Sequence, residues 1–521
     1  MSDQNVSSVQ LLETVPDPAG PEDVAVLLHR VRLIEEDGIL DGHFFFPRYH
    51  WYHADTGCAR SAVAAADTLF HEAGAASRHA DQVTAAAILF RFADEPEPFI
   101  QALADRWTPE WLETLPPALG VELCILFYFQ RHWAQLEQTA CRLLQGRTVS
   151  PFWAAYLADF HFFAVLQPLQ PGRKEGRLTS QDVSRLEEAL SLNRRAVPGM
   201  RKNLLIHTGV LAALRGDVTD SQNILAEARR ESGRTTHFFR SVEHVLSTDE
   251  MIALCGEAET ADDLNKAETY PWLDLRLRHA PDGPVFLVSC DHAYMDGFID
   301  GYLASVAQRS PDTLVHLHAL GFDPSEARLR DLEDRHGVGL NLTVDRFSPL
   351  PDGGDGLKGY AVCSRFMYMP LYLRHYDLVT VTDIDGAILE PLRDVWAGHE
   401  RSTLMLSPYL RADRSAYPPV WGSVTGGVVG FTADDGAALF VRTLALYLRR
   451  RVDACVTRGE KLFYADQAGL GLAYLALKDR CPFARMFPGL FRQGGEMRPR
   501  QRWLGKQSAQ EALLRDRLGL E

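Results

Sequence analysis

The second half of the chain alternates. Short apolar, β-branched runs are separated by stretches of helical periodicity: strand Val285–Ser289, helix Phe298–Gln308, strand Leu314–Leu320, helix Ser325–His336, strand Leu340–Val344. Strands alternating with helices of this length imply a mostly parallel sheet covered on both faces. A glycine-rich loop, Pro351–Gly356, and a helix over Tyr360–Arg374 lead to a further strand, Leu378–Val381. In open sheets of this kind ligands bind beyond the carboxyl ends of the strands. One strand there runs into Cys290-Asp291-His292-Ala293-Tyr294 and another into Thr382-Asp383-Ile384-Asp385-Gly386.

The first half has a different texture. From Glu22 to Leu254 the apolar residues recur at helical spacing, with helices expected over Asp23–Ile34, Ala62–Phe70, Val83–Ala93, Phe99–Ala104, Ala118–Phe129, Leu136–Leu144 and Phe152–Leu166. After a Pro/Gly-rich break at Gln167–Gly176, helices at Leu186–Val197, Lys202–Leu214 and Ser221–Arg230 carry small residues at Gly209, Ser221 and Ala228. That spacing resembles the tetratricopeptide pattern, in which small side chains let paired helices pack closely; an irregular helical domain fits as well. The run His43–His53, rich in aromatics and histidine, reads as packing or interface mass. The expected organisation is a loose leader (1–20), a helical domain (21–257), a connection (258–280) and an α/β domain (281–521). The fold class is α + α/β.

At 521 residues, two or three domains are expected. A formal net charge of −15 argues against a general nucleic-acid binder, whose affinity comes from neutralising phosphates. The eight cysteines are scattered without a Cys-x-x-Cys pair, as expected of reduced thiols in a cytoplasmic protein. The most apolar span, Leu119–Phe129, is about half the ~20 residues a membrane helix needs and contains Glu122, so no transmembrane segment is expected.

The acid pair is the chemical clue. On extended backbone, residues i and i+2 point to one side, so Asp383 and Asp385 would both present carboxylate oxygens at a strand end. Hard divalent cations take such ligands and complete their shell with water and substrate phosphates. Asp-x-Asp also occurs as a plain acidic turn.

Taken in order, Asp291-His292-Ala293-Tyr294, Tyr360–Phe366 with Arg365, Asp383-Ile384-Asp385, Gly426-Gly427 and Asp466-Gln467 resemble the motifs of a nucleotide-sugar glycosyltransferase of the GT-A fold. Over about residues 283–493 the chain is most similar to glycosyltransferase family 8. The resemblance implies a GT-A, Rossmann-like domain behind the helical one. It implies a metal site at Asp383 and Asp385, completed by Mn²⁺ or Mg²⁺, and a donor site for a UDP-sugar contacted by Asp291, Tyr294, Arg365, Asp383, Gly426 and Gly427. Asp466 and Gln467 take the place of the pair at the reacting face, as donor-sugar contacts or catalytic candidates.

The chain departs from the family at three points. Ser423 or Thr425 stands where an asparagine is usual, Ala468 where an acid often follows the Asp-Gln pair, and no histidine occurs after His399 to serve as a late metal ligand. Glu496 is a substitute for that histidine, and Arg498, Arg500 or Arg502 for the family's diphosphate-binding lysine; Arg498 is assigned to the donor.

The sequence reading is therefore a metal-assisted glycosyltransferase acting on a hydroxyl of a protein or glycan acceptor, recognised by the helical domain, with self-association as a further use of that domain. The alternative is a non-catalytic scaffold, binding a nucleotide-sugar or another protein, with a degenerate transferase domain.

Overall fold

The computed structural model describes residues 23–29, 32, 57–72, 79–93, 95–146, 151–169, 178–232, 237–280, 283–347, 354–397, 404–406, 419–424, 426–485, 491–493, 507 and 510–520. The chain divides into two compact units, one of Met1–Leu211 with Glu231–Arg240, the other of Ala212–Arg230 with Ser241–Glu521.

The first unit is helical. Its longer described helices are α1 (Gly57–Glu72), α2 (His79–Phe92), α3 (Glu97–Arg106), α4 (Pro117–Phe129), α5 (Trp133–Gly146), α6 (Pro151–Leu166), α7 (Ser180–Ala196) and α8 (Arg201–Leu214), the last running into the second unit. Along α2 from Gln82 to Phe92 and along α4 from Gly120 to Phe127 every residue is buried, so these two stretches form the centre of the unit. α4 is the span the sequence marks as most apolar, and no described helix is long and apolar enough to cross a membrane. α7 opens on a capping box in which Thr179 and Asp182 each accept the other's backbone N–H.

In the second unit, α9 (Val218–Arg230) and α10 (Thr248–Thr260) precede the sheet. The strands and helices that follow are β1 (Leu273–Arg276), β2 (Pro284–Cys290), α11 (His292–Arg309), β3 (Leu314–Leu320), α12 (Glu326–His336), β4 (Leu340–Asp345), α13 (Gly354–Met367), β5 (Leu378–Thr382), β6 (Gly386–Ile388), β7 (Leu404–Leu406), β8 (Val428–Thr432), α14 (Asp435–Arg458), α15 (Ala465–Leu477), β9 (Phe483–Arg485) and β10 (Phe491–Gln493). The main sheet runs β1-β4-β3-β2-β5-β8-β7-β9, and β6 pairs separately with β10. Its centre, β4-β3-β2-β5, is parallel; β1 and β8 lie antiparallel on either side. The mostly parallel sheet behind a helical half is thus the fold class the alternation implies.

Three boundaries differ from the sequence expectation. Leu273–Arg276, within the stretch read as a connection, is an edge strand in register with β4, Leu273 opposite Asp345. α11 begins at His292, well before Phe298, because Asp291 caps it. The expected helix Tyr360–Arg374 is broken: α13 ends at Met367, and a short helix, Met369–Tyr372, restarts with Pro370 near its first position.

The strand order contains a switch point. From β2 the chain moves outward through β3 and β4, then returns to place β5 on the other side of β2. Connections diverge between β2 and β5, which opens a crevice at their carboxyl ends. Asp291 follows β2 and Asp383 follows β5, so both stand on that edge.

Candidate active site at the carboxyl edge of the sheet

α13 is held on the sheet by polar contacts. Ser289 Oγ of β2 donates to Ala361 O at 2.6 Å, and Tyr360 Oη donates to Asp345 Oδ2 of β4 at 2.7 Å. Asp345 also meets His318 Nε2 at 3.0 Å, and all five of these residues are buried or half-buried. Arg365 stands one turn beyond these two adjacent anchors and reaches the end of β5. Its Nη1 donates to Thr382 O at 3.0 Å and to Asp383 Oδ1 at 2.5 Å. Arg365 is only 4% exposed, and its Nε finds no hydrogen-bond partner. Burial would lower its pKa, but Asp383, Asp466 and Asp385 outweigh that and raise it.

Asp466 enters from the first turn of α15 and is also buried. Burial pushes its carboxyl up to about 6; Arg365 and the N–H of Gln467 pull it down, and the Asp383 charge pushes it further up. The residue before this helix, Tyr464, has φ 73°, an uncommon left-handed conformation for a tyrosine.

Gly426-Gly427 lies between the two acids. A Cβ on Gly426 would stand 3.2 Å from Gln467 Nε2 and 3.4 Å from Asp466 Oδ2; one on Gly427 would stand 3.4 Å from Asp383 Oδ2. A side chain on either glycine would enter the space between the reactive groups. The α15 helix approaches the same loop closely, since a Cβ on Gly471 would lie 1.9 Å from Val420 O.

Arg365, Asp383, Asp385, Asp466, Gln467, Gly426 and Gly427 are therefore one cluster. Asp291 and Tyr294 share the edge but are differently engaged. Asp291 Oδ1 accepts the Tyr294 N–H at 2.8 Å as the cap of α11, and the Tyr294 ring lies 5.2 Å from that of Phe298. Ser423, a stand-in for the family's asparagine, is buried, with its hydroxyl 3.5 Å from Pro419 O. Arg498, Glu496, Arg500, Arg502, Thr425 and the run 43–53 lie outside the described residues.

Asp383 and Asp385 are oxygen donors of the kind a hard cation takes; among the described residues no group of three or more His, Cys, Asp or Glu is placed to hold one, here or elsewhere. A cation held by this pair alone would have to draw its other ligands from water and phosphate.

Sequence reasoning missed one residue at this site. Gln510 is buried and donates from Nε2 to Ile384 O at 3.2 Å and Gly386 O at 2.8 Å, the backbone on either side of Asp385. A lone glutamine far along the chain gives no sequence signal.

No protein-family model and no curated protein matches this chain. Among solved structures, it is similar to the glycosyltransferase GlyE of Streptococcus pneumoniae TIGR4 at 13% identity over 40% of this chain and 45% of that one, TM-score 0.27. Mouse xyloside xylosyltransferase 1 matches at 9% identity over 40% of this chain and 86% of that one, TM-score 0.28. The bifunctional glycosyltransferase WbbM matches at 13% identity over 46% and 45%, TM-score 0.26. The match thus spans under half the length of GlyE and of WbbM.

Proposed function

We propose that this chain is a glycosyltransferase that moves a sugar from a nucleoside diphosphate, UDP in the first instance, to a hydroxyl group. The observation that carries the reading is the convergence of Asp383, Arg365, Gly426-Gly427 and Asp466-Gln467 at one sheet edge, at the switch point. The similar solved structures named above are glycosyltransferases, in line with the family resemblance of the motifs.

In this reading Asp383 and Asp385 would hold Mn²⁺ or Mg²⁺, which when bound offsets negative charge on the leaving diphosphate. Arg365 orients Asp383 and adds a fixed positive charge that does not depend on pH. The glycine pair leaves room for the sugar to lie against backbone. Asp466, buried and with its pKa raised to about 6, faces that space; it accepts a hydrogen bond from a sugar hydroxyl when ionised and donates one when protonated. Gln467 supplies an amide beside it. Asp291 and Tyr294, on the neighbouring strand end, are assigned to the nucleoside and Arg498 to the diphosphate. The helical unit is assigned to a protein or glycan acceptor, or to self-association.

A second reading, a nucleotide-sugar-binding scaffold without turnover, is favoured by one observation: Asp383 Oδ1 is already engaged by Arg365. The test is calorimetric titration of UDP, GDP and their sugars with Mn²⁺ and with EDTA, on the natural chain and on Asp383→Asn/Asp385→Asn, followed by hydrolysis and transfer assays. Mn²⁺-dependent binding lost in the double variant, with turnover, supports the transferase. Such binding without turnover supports the scaffold. Failure of every nucleotide to bind overturns both.

A further inference from the structure

The Asp383–Gly386 turn is gripped from a distant part of the chain. Its backbone carbonyls at Ile384 and Gly386 both accept from the side-chain amide of Gln510, residues 126 and 124 positions away. The same Nε2 lies 3.3 Å from Phe298 O in α11, so one amide ties the turn to that helix. Gln510 is 3% exposed, and its seat depends on a glycine: a Cβ on Gly301 would lie 2.7 Å from its Oε1 and 2.9 Å from its Cδ. The surrounding segment follows α11 along its length. Gln507 donates to Gly297 O at 3.2 Å, Leu514 Cδ1 would lie 3.0 Å from a Gly301 Cβ, and Gln308 donates to Leu518 O at 2.7 Å. On the far side of the turn, Ser305 Oγ of α11 accepts the Ile388 N–H at 3.0 Å.

The arrangement is specific. The chain either side of Asp385 cannot move without breaking a buried hydrogen bond, and a carbonyl left unpaired there is costly. Asp385 is itself buried, so its backbone is enclosed on this turn.

We propose that Gln510 is a positioning residue for the acid pair, holding the Asp383–Gly386 turn so that both carboxylates serve one cation and diphosphate. This rests on the assignment of Asp383 and Asp385 to the donor.

The test uses the full chain with Gln510→Leu, Gln510→Glu and Gly301→Ala. Gln510→Glu keeps the shape and replaces the donor with an acceptor; Gly301→Ala leaves Gln510 in place and pushes it off its seat. Hydrogen exchange of the peptide spanning 383–388 is measured without ligand, alongside the urea midpoint and the affinity for UDP with Mn²⁺. All three variants are expected to speed exchange in that peptide by about tenfold or more, with β2 and β5 unchanged, and to weaken UDP–Mn²⁺ binding by about tenfold, the loss of roughly one buried hydrogen bond. Unchanged exchange in 383–388 overturns the proposal. So does a uniform rise in exchange across the sheet with a lowered midpoint, which marks a general structural role. A loosened turn with full affinity, while Asp383→Asn/Asp385→Asn abolishes binding, overturns the proposal and spares the donor assignment. If that double variant binds normally, the donor assignment falls and with it the positioning role for a cation.

Discussion

Buried charge occurs in both units, and the two uses differ. In the helical unit, Arg91 and Glu122 are fully buried and paired at 3.0 Å, with Arg32 3.2 Å from the other carboxylate oxygen. Each charge there meets its opposite inside a helix packing, and the Arg91 Nη1 also donates to Ala87 O within its own helix. At the sheet edge, one guanidinium is set among three carboxylates, one of them pushed up to about 6 by burial, beside two glycines that keep side chains out. The first cluster sets two guanidiniums on one carboxylate inside a helix packing. The second carries surplus negative charge beside backbone that bears no side chain, the sign of charge a cation would meet. Burial of charge alone is therefore no sign of a site; its sign and its surroundings distinguish the two.

The contrast can be broken most sharply by swapping polar pairs for apolar ones. Glu122→Ala, which strands Arg91, is expected to cost about 3–5 kcal/mol in urea unfolding, whereas Glu122→Leu with Arg91→Met should cost far less and leave nucleotide binding intact. The equivalent replacement at the edge, Arg365→Met with Asp383→Leu, should leave a folded protein by circular dichroism yet abolish UDP–Mn²⁺ binding in calorimetry. If both double variants bind normally, the two clusters are alike and the distinction fails.

A smaller effect sharpens it. Gly426→Ala forces a methyl within 3.2 Å of Gln467 Nε2; a loss of about tenfold in kcat/KM, about 1.4 kcal/mol, is expected with an unfolding midpoint close to that of the natural chain. The pH dependence supplies the last comparison. Asp466 takes up its proton at about 6 in the folded chain and near 3.8 when unfolded, so between those values the folded state holds more protons and stability falls as pH rises. The penalty is complete above about pH 6 and relieved as pH falls through that value. Asp466→Asn should flatten the stability profile between about pH 4 and 6 and raise stability at pH 7.5 by at most about 3 kcal/mol; an unchanged profile would mean that Asp466 is not the titrating group.

What could be read in advance follows from how local the cause is. β2, β3 and β4 were legible because Val, Leu and Phe runs of strand length are bounded by polar residues, and their alternation with helices fixes a parallel sheet. The four residues of β1, Leu-Asp-Leu-Arg, alternate too, but they are half-buried and too few to rise above the surrounding acidic stretch. The helical starts were read late because an amphipathic pattern announces itself only after the cap; Asp291 belongs to such a cap as well as to the edge of the site. The acids and glycines of the cluster could be named one by one. Their meeting could not, since it depends on strand order, and Gln510 is invisible without the fold because its partners are backbone carbonyls that any sequence would offer.

The distances in sequence that Gln510 bridges also bear on the course of folding. Contacts between segments more than a hundred residues apart form late, after the entropy of closing the intervening chain has been overcome. β2, β3 and β4 are joined by short crossovers and can assemble first, while the turn bearing the acid pair acquires its last anchor only when the segment around Gln510 docks. In a refolding experiment, the recovery of cation-dependent nucleotide affinity should then lag the recovery of secondary structure, and that delay would time the final step of the second unit's folding.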